Sequence, residues 1–407
     1  MKNKTKCKVC LSGNIEKFID YGNHPVSHHY ISHEDEFNGD ARIPLVLCQC
    51  VKCGIIELEQ TADLSFYNIR FPWVRQNESE AHLDDLVNKI ISLPGINNKS
   101  SIWGLSYKDK TTVDRFREIG FTQCKTMDYA TFFNSQDQIY NIAFIQSFIN
   151  ENTIEEMRGN FGKPNVVICR HLLEHSHEPS NFLISLKMLV SGGNYVILEL
   201  PDCGRLIENL DYTMIWEEHI TYHTEISLQT AVRMHSMEII YSKIYKYPYE
   251  NCLILIVSDS QRKGDLFPTK EKINESMQAF KNYSGSFQNI KDKVYLLFNK
   301  LKSKNQKLAV YGSGHIASTF INTFGIDKYI EFVIDDDANK TELLMPGNGI
   351  SIYPSNKILT EKIDLCFIAM SHENEQKVFK NNQEFINNGG QLVPISPNAA
   401  NSIYDML

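Results

Sequence analysis

The 407-residue sequence lacks any apolar run close to the roughly 20 residues that a helix needs to span a bilayer. Its lysine-rich start, MKNKTKCKVC, has no apolar signal core behind it. It also lacks a basic excess, because the formal net charge is -8 and no basic stripe stands out. These absences make membranes and nucleic acids poor candidate partners, and we expect a soluble, cytoplasmic protein.

The length exceeds what one hydrophobic core normally supports, and 42% hydrophobic residues suffice for ordinary globular cores. Composition and pattern predict four consecutive parts. They are a zinc-binding module over 1–70, an α/β domain over 75–265, a helical linker over 266–305 and a Rossmann-like domain over 306–407.

The ten cysteines are unevenly distributed, with five of them in the first 53 positions. Cys7 and Cys10 form one C-x-x-C pair, and Cys50 and Cys53 form another, so four thiolates can surround a tetrahedral Zn²⁺. A closed four-thiolate site is structural, since it leaves no open position for substrate. Four buried cysteines without metal are the alternative, and Cys48 is either a spare thiol or an exchangeable ligand. Four histidines lie between the pairs, where they could line a pocket or face solvent: His24, His28, His29 and His33.

The stretch from 75 to 265 alternates apolar strands with amphipathic helices, which predicts a parallel, doubly wound α/β sheet. Ligands of such sheets bind at the carboxyl ends of the strands. Seven residues are expected around that crevice: Gly104, Ser106, Asp128, Arg170, His171, His175 and Glu199.

One segment of this domain, LDYTMIWEEHITYHT over 210–224, is unusually rich in polar and aromatic residues. Six of them fall within eight positions: Trp216, Glu217, Glu218, His219, Tyr222 and His223. A carboxylate beside an imidazole suits proton abstraction next to a carbonyl group. Any one of these residues could be a satisfied structural group, but so many polar groups together are poor core material.

Two segments carry a resemblance to known enzymes. HLLEHSHEPSNFLISLKMLVSGGNYVILELPD resembles the passage from the fourth to the fifth strand of class I S-adenosylmethionine-dependent methyltransferases. IWEEHITYHT resembles the E-H-x-x-Y-F signature of sugar C-methyltransferases that act on nucleotide-linked deoxyketosugars. That family has a four-cysteine zinc module before its methyltransferase domain and a Rossmann-like domain after it, so the resemblance covers essentially the whole chain.

The resemblance implies a catalytic set in which His219 is the base that enolises the sugar and Glu218 is its partner carboxylate. His175 would contact the ketone or the sugar, and Tyr222 could donate to the developing oxyanion. Trp216 stands where the family has an aromatic residue. Two neighbours are interpreted differently: Glu217 as a solvated residue, and His223 as a replacement for the family's phenylalanine.

The resemblance also implies S-adenosylmethionine as methyl donor, near five residues: Gly104, Ser106, Asp128, Arg170 and His171. Asp128 matches the acidic position that holds the ribose hydroxyls. The family's first-strand turn carries G-x-x-x-G, whereas this chain has one glycine followed by bulky residues. Either the donor binds in an altered way or the pocket is used differently.

The C-terminal part contains LAVYGSGHIAST, a strand, a glycine turn and a helix start, followed by Asp335 and Asp336 at the end of EFVIDDD. In form this is a dinucleotide fingerprint without its third glycine. The resembling family uses this domain for the nucleotide sugar, which we favour over NAD. Substrate contacts are expected at Gly312, Gly314, His315, His372 and the aromatic Trp216.

The sequence thus predicts a sugar C-methyltransferase with structural zinc, acting on a nucleotide-linked 4-keto-deoxysugar. One alternative is an enzyme that enolises or epimerises such sugars without a methyl donor. Another is a non-catalytic relative that binds a nucleotide sugar. The particular sugar, carbon and nucleotide are not determined by the sequence.

Overall fold

The structure, a computed structural model, describes residues 6–32, 42–67, 71, 78–133, 141–259 and 269–407. Within these ranges no helix is long and apolar enough to cross a membrane. His33, one of the four histidines that could line a pocket or face solvent, lies outside the described residues.

The N-terminal module contains an antiparallel sheet whose fourth strand comes from the middle of the chain. Its own strands are β1 (Ile15–Pro25), β2 (Ile31–Ser32), β3 (Arg42–Cys50) and β4 (Ile56–Leu58). The sheet order is β1-β3-β4-β9, where β9 (Thr221–Tyr222) belongs to the polar segment 210–224. Ile56 pairs with Tyr222, so this segment is fixed directly to the N-terminal module.

The middle domain carries a six-stranded sheet of order β10-β11-β8-β7-β5-β6. Its strands are β5 (Ser101–Gly104), β6 (Gln123–Thr126), β7 (Val166–Arg170), β8 (Tyr195–Asp202), β10 (Met237–Tyr245) and β11 (Asn251–Asp259). Its helices are α1 (Leu83–Ile91), α2 (Lys110–Glu118), α3 (Tyr129–Phe132), α4 (Ile142–Ile145), α5 (Glu151–Phe161), α6 (Pro179–Val190), α7 (Cys203–Glu208) and α8 (Glu225–Met234).

Alternating residues of these strands bury both faces of the sheet. Val167 and Cys169 of β7 pack towards α5, α6 and α8, whereas Val166 and Ile168 pack towards α1 and α2. This is the doubly wound class I methyltransferase-like arrangement that the sequence predicts. Within this sheet β11 alone runs opposite to the other five strands, because residues 246–250 join it to β10 and are too few for a crossover connection.

The C-terminal domain is a five-stranded parallel sheet of order β15-β13-β12-β16-β17. Its strands are β12 (Leu308–Tyr311), β13 (Ile330–Ile334), β15 (Ile352–Tyr353), β16 (Leu365–Ile368) and β17 (Gln391–Pro394). The short strand β14 (Leu343–Leu344) pairs instead with β2 of the N-terminal module, in an antiparallel two-stranded sheet. The helices are α10 (His315–Phe324), α11 (Lys357–Thr360), α12 (His372–Asn381) and α13 (Gln383–Asn387). Strand, glycine turn and helix follow one another at β12 and α10, as the fingerprint predicts.

One 34-residue helix, α9 (Lys270–Ser303), lies where the linker is predicted and packs against three parts of the chain. Its first half buries Phe280 and Tyr283, and Phe280 contacts Phe18 of the N-terminal module. Its second half buries Phe298 against Phe367 of the C-terminal domain. The helix therefore joins both terminal domains through one shared core.

Candidate functional site

The main cleft lies between the middle domain, the 247–252 loop and the C-terminal domain, and it encloses about 1140 Å³ including its open mouth. Six of the predicted site residues line it: His171, His175, Trp216, His219, His315 and His372. Gly104, Ser106, Asp128 and Arg170, predicted for the donor, are not among the lining residues.

The loop from Trp216 to Tyr222 is held by hydrogen bonds to two surrounding elements and by bonds within the loop. Its Ile220 N–H donates to the Glu174 carbonyl at 2.7 Å, and the Ile220 carbonyl accepts from Leu58 N–H at 2.9 Å. The Tyr222 hydroxyl accepts from Trp216 N–H at 3.0 Å and donates to the Trp216 carbonyl at 3.1 Å. The Tyr222 hydroxyl therefore closes the loop, and the structure does not place it for an oxyanion as predicted.

His219 sits in a cage of rings at the floor of the cleft. Its ring centroid lies 4.7 Å from that of His175 and 4.9 Å from that of Trp216. Burial, reinforced by the nearby His175 and His315, holds the pKa of His219 well below its usual value. The ring is therefore neutral at physiological pH, the form that can accept a proton.

Glu218 is paired with a histidine of the N-terminal module. Its Oε1 lies 2.5 Å from His28 Nδ1, and its Oε2 lies 4.0 Å from His175 Nδ1. Burial alone would raise the pKa of Glu218, but His28 more than offsets this and lowers it. In this structure the carboxylate therefore faces His28 and His175, and its role as the partner of His219 stays a prediction.

Glu217 is buried, whereas a solvated position is predicted for it. Its Oε1 accepts a hydrogen bond from Ser27 N–H at 2.6 Å, and the Ser27 hydroxyl donates to Oε2 at 3.1 Å. Burial and the neighbouring Glu218 raise the pKa of Glu217 to about 7. Glu217 thus ties the polar segment to the N-terminal module.

The C-terminal domain reaches the cleft through the starts of two helices. His315, the first residue of α10, stacks on Trp216 with ring centroids 4.5 Å apart and an interplanar angle of 27°. His372, the first residue of α12, contacts Tyr249 with centroids 5.2 Å apart. Trp216, His315 and His372 therefore meet in one cleft although they are distant in sequence.

The glycine turn of the C-terminal domain makes its close contacts and hydrogen bonds within that domain. Gly312 has a φ of +94°, and a Cβ there would lie 2.6 Å from the Ala369 carbonyl oxygen. Asp335 accepts hydrogen bonds from the Ser313 N–H at 3.0 Å and hydroxyl at 2.7 Å. Neither Gly312 nor Gly314 lines the cleft, so the turn supports the position of His315 instead of contacting that space itself.

The first-strand turn, predicted to approach the methyl donor, is filled by the chain's own side chains. A Cβ on Gly104 would lie 2.6 Å from Asp109 Cβ and 3.0 Å from a Val113 methyl group. Asp109 Oδ2 accepts from Ser106 N–H at 2.8 Å, and Oδ1 accepts from Arg170 N–H at 2.8 Å. Gly104 is therefore needed for the close approach of Asp109.

Arg170 and His171 belong to a buried charge network at the end of β7. The Arg170 Nε lies 2.8 Å from Glu199 Oε1, and its Nη1 donates to the Lys108 carbonyl at 2.8 Å. His171 Nε2 lies 3.2 Å from the same Glu199 oxygen, and the second Glu199 oxygen faces His82 at 3.2 Å. This network compensates the charge of Glu199. It also engages Arg170 and His171, which are predicted to lie near the methyl donor.

Asp128, predicted to hold the ribose hydroxyls, caps the short helix α3. Its carboxylate accepts from Ala130 N–H at 3.2 Å and from the Thr131 hydroxyl at 2.7 Å. Gly104 and Asp128 therefore both make contacts within the chain at the positions where the family holds its methyl donor.

The four predicted zinc ligands meet at one point in the N-terminal module. The Cys7 and Cys53 sulfurs lie 3.7 Å apart, those of Cys10 and Cys50 lie 3.5 Å apart, and all four lie within 4.8 Å. These four sulfurs fit a tetrahedral Zn²⁺ site. Cys48 is buried on the same strand as Cys50 but outside this group.

Comparison with known proteins agrees with this organisation. Residues 268–397 match the family model "C-methyltransferase C-terminal domain", and residues 7–65 match the model "Putative zinc binding domain". C-methyltransferase NovU of Streptomyces niveus is 18% identical over 402 residues, which cover 96% of this chain and 95% of that protein. The chain is therefore an enzyme of the methyltransferase class. Both of its terminal parts match domain models named for such enzymes, and its similarity to a C-methyltransferase extends over nearly the whole chain.

Two solved structures are similar to parts of the chain. The 1,6-didemethyltoxoflavin-N1-methyltransferase of Burkholderia thailandensis is 9% identical, with a TM-score of 0.31 over 45% of this chain and 80% of that one. Magnesium protoporphyrin IX methyltransferase of Synechocystis PCC 6803 is 14% identical, with a TM-score of 0.30 over 44% of this chain and 82% of that one.

Three residues of the site are not identified as such by the sequence: His82, Asp109 and Glu174. Glu174 sits beside His175 in the LLEH turn and lines the cleft, so its position in that motif is a usable signal. His28 is one of the four histidines that could line a pocket, but its pairing with Glu218, 190 residues away, has no signal in the sequence.

Proposed function

We propose that the cleft binds a nucleotide-linked keto-deoxysugar and that His219 removes the proton beside the ketone, the step that prepares a carbon for methylation. The observation that carries this proposal is the position of His219, whose ring lies at the floor of the cleft beside those of His175 and Trp216. An imidazole within reach of a bound substrate can act as a general base.

His175 is positioned to act on the same substrate. Its ring lies edge-on to that of His219, and its Nδ1 has no hydrogen-bond partner within the described part of the chain. Burial lowers the pKa of His175, so its neutral ring can donate from one nitrogen to a ketone oxygen. His219 and His175 would then address the acidic carbon and the ketone respectively.

Trp216 and His315 offer a stacked aromatic wall from two domains, which suits a sugar ring or a nucleotide base. His372 lies on the C-terminal side of the same cleft. This arrangement supports a substrate long enough to contact both domains, as a nucleotide sugar does.

When bound, S-adenosylmethionine supplies an electrophilic methyl group to the enolate carbon. The filled Gly104 turn and the engaged Asp128 favour a second candidate function, in which the enzyme enolises or epimerises the sugar without that donor. Both candidates share proton abstraction by His219, so one experiment tests the common step and another separates them.

The common step is tested by deuterium incorporation from D₂O into a nucleotide-linked 4-keto-deoxysugar, followed by NMR. We expect exchange beside the ketone with the wild-type protein and its loss in His219→Ala. His235→Asn is the matched control, because His235 directly follows α8 and bonds to Ser180 and Ala231, outside the residues that line the cleft. Equal exchange rates in wild type and His219→Ala would contradict the proposal, and absence of exchange in both would favour a non-catalytic binding protein.

The two candidates are separated by calorimetric titration with S-adenosylmethionine in the presence of the sugar. Binding, with a methylated product, supports the C-methyltransferase. Absence of binding at millimolar donor, together with retained His219-dependent exchange, supports the enzyme without a donor.

A further inference from the structure

We propose that His28 of the N-terminal module is a positioning residue that decides which ring nitrogen of His175 carries the proton. It acts through Glu218, whose carboxylate lies between the two rings. Glu218 Oε1 lies 2.5 Å from His28 Nδ1, and Oε2 lies 4.0 Å from His175 Nδ1. The inference rests on the proposed function, because it specifies how a neutral His175 presents a donor to the ketone oxygen.

His28 and Glu218 act from behind the cleft. Neither residue lines it, whereas His175 does. The side chains of His28, Glu218 and His175 are 9%, 7% and 6% exposed. Because bulk water is excluded from the group, charges within it act strongly on one another. A change of charge at His28 should therefore be felt at His175.

The contact between His28 and Glu218 is an ion pair. Burial alone would lower the pKa of His28, but Glu218 and the adjacent Glu217 more than offset this and raise it. Burial alone would raise the pKa of Glu218, but His28 more than offsets this and lowers it. Both directions favour a protonated imidazole facing a carboxylate. His28 therefore compensates the negative charge of Glu218.

The residue before His28 helps to fix the orientation of this carboxylate. Ser27 N–H donates to Glu217 Oε1 at 2.6 Å, and the Ser27 hydroxyl donates to Oε2 at 3.1 Å. Ser27 and His28 thus hold Glu217 and Glu218 side by side. This double attachment keeps Glu218 on His28 and out of hydrogen-bond reach of His175.

The state of Glu218 sets the tautomer of His175. A neutral imidazole carries one proton, and the group that faces one nitrogen decides where it resides. A carboxylate bonded to Nδ1 holds the proton there, as in the Asp–His pair of serine proteases. Here the compensated carboxylate lies 4.0 Å away, and Nδ1 has no hydrogen-bond partner among the described residues. A buried Nδ1–H would lack an acceptor, so the proton belongs on Nε2, which can donate to a ketone oxygen.

Three further charged groups act on the His175 ring: Lys108, His171 and Glu174. Lys108 is paired with Glu78 at 2.6 Å, and Glu174 faces His171 at 3.4 Å. None of these pairs includes His28. Substitution of His28 therefore changes the charge beside His175 Nδ1 and leaves the other charged groups in place.

The test is nuclear magnetic resonance of protein labelled with ¹⁵N-histidine, because ring ¹H–¹⁵N correlations distinguish both neutral tautomers from the charged ring. The signals are assigned by their loss in His28→Asn and His175→Gln. At neutral pH we expect wild-type His28 to be an imidazolium and wild-type His175 to carry its proton on Nε2. A neutral His28, or a proton on Nδ1 of His175, would overturn the proposal in the wild-type protein alone.

His28→Asn removes the charge and keeps a side-chain N–H. Glu218 then faces His175 uncompensated, and burial keeps that ring neutral, so we expect the proton to move from Nε2 to Nδ1. The double variant His28→Asn/Glu218→Gln should return it to Nε2. His24→Asn is the matched control, a buried histidine of the same module whose charged neighbours are Lys291 and Arg42, and should leave His175 unchanged.

Circular dichroism and one retained equivalent of zinc would show that the variants are folded. A folded His28→Asn with the wild-type signals of His175 overturns the proposal, and so does a double variant whose proton stays on Nδ1.

The functional readout is the deuterium exchange described above. His28→Asn should slow it about 10²-fold at saturating substrate with little change in KM, since a positioned acid or base contributes about 10²–10⁴-fold. His24→Asn should exchange at the wild-type rate. A wild-type rate in folded His28→Asn would overturn the positioning role. Absence of exchange in every protein would contradict the proposed function alone, because the resonance measurement needs no substrate and still decides the tautomer.

Discussion

Glu218 and His28 form a buried ion pair between the polar segment and the N-terminal module, and its loss should be costly. Their side chains are 7% and 9% exposed, and the atoms are 2.5 Å apart. Removing one partner of a buried pair leaves an uncompensated charge, which costs about 3–5 kcal/mol. We expect His28→Ala to lower the free energy of unfolding by about that amount in urea denaturation.

The double variant His28→Ala/Glu218→Gln should recover part of the loss, because no charge then remains buried. Lys17→Ala provides a surface control, since the Lys17–Glu59 pair is 52% and 24% exposed. Its loss should cost no more than about 1 kcal/mol. A His28→Ala cost as small as that of Lys17→Ala would show that the pair adds no stability.

Glu217 should make stability fall as pH rises towards neutrality. Its pKa is raised to about 7 in the folded protein, so the folded state keeps a proton that the unfolded state releases near pH 4.5. Between these values the folded state binds more protons, and the free energy of unfolding decreases with pH. The full shift corresponds to about 3 kcal/mol.

The measurement is the free energy of unfolding between pH 4.5 and 8 for wild type and Glu217→Gln. The variant should lack this share of the pH slope, whereas Glu16→Gln, at an exposed position of β1, should retain it. Parallel pH curves for wild type and Glu217→Gln would contradict the assignment to Glu217.

At the scale of elements, regular strands and helices were predictable, but short and non-local contacts were not. YVILELPD is predicted as a buried strand and forms β8 over Tyr195–Asp202, because only Glu199 interrupts its apolar residues from Tyr195 to Leu200. The two-residue strand β9 has no such pattern, and its partner β4 lies more than 160 positions away. The sequence therefore predicted the polar segment but not its attachment to the zinc module.

The same difference between regular elements and non-local contacts explains why the side-chain contacts at the Gly104 turn could not be predicted. The sequence shows that Gly104 stands alone, but the filling of its space depends on Asp109 folding back over the turn. That contact rests on the orientation of one buried side chain, which no periodicity encodes. The position of the site was thus predictable, whereas the pairing of its charged groups was not.

The attachment of β9 to β4 predicts that zinc stabilises the cleft floor. Leu58 N–H bonds to the Ile220 carbonyl at 2.9 Å, and Cys50 and Cys53 immediately precede β4. Structural zinc contributes folding free energy directly, so its loss should loosen β4 and β9 together. We expect Cys50→Ser to lose zinc and to show faster amide exchange over 56–58 and 220–222, measured by mass spectrometry.

Cys48→Ser is the control, because Cys48 is a buried cysteine of the same strand outside the four-sulfur group. It should retain one equivalent of zinc and the slow exchange of both segments. Strand β17 in the C-terminal domain should exchange at the same rate in all three proteins. Unchanged exchange at 220–222 in zinc-free Cys50→Ser would mean that β9 is held by the middle domain alone.

At the scale of the whole molecule, the terminal domains share one core, while the middle sheet has its own. The shared core includes Ile19 of β1, Tyr283 of α9 and Val310 of β12. Val167 of β7 and Leu198 of β8 belong to a separate cluster. A substitution that loosens the packing of α9 should therefore destabilise both terminal domains more than the middle sheet.

Tyr283→Ala tests this coupling. The Tyr283 ring is fully buried, and its hydroxyl donates to the Asp211 carbonyl at 3.0 Å and lies 3.1 Å from that of Tyr21. Loss of a buried aromatic ring costs about 3–5 kcal/mol. Amide exchange should accelerate in both β1 and β12 but not in β7, and Tyr295→Ala, 42% exposed on the same helix, should change neither. Acceleration confined to β1 would mean that the two terminal domains unfold independently, because a shared core transmits the loss of packing to every element that contributes to it.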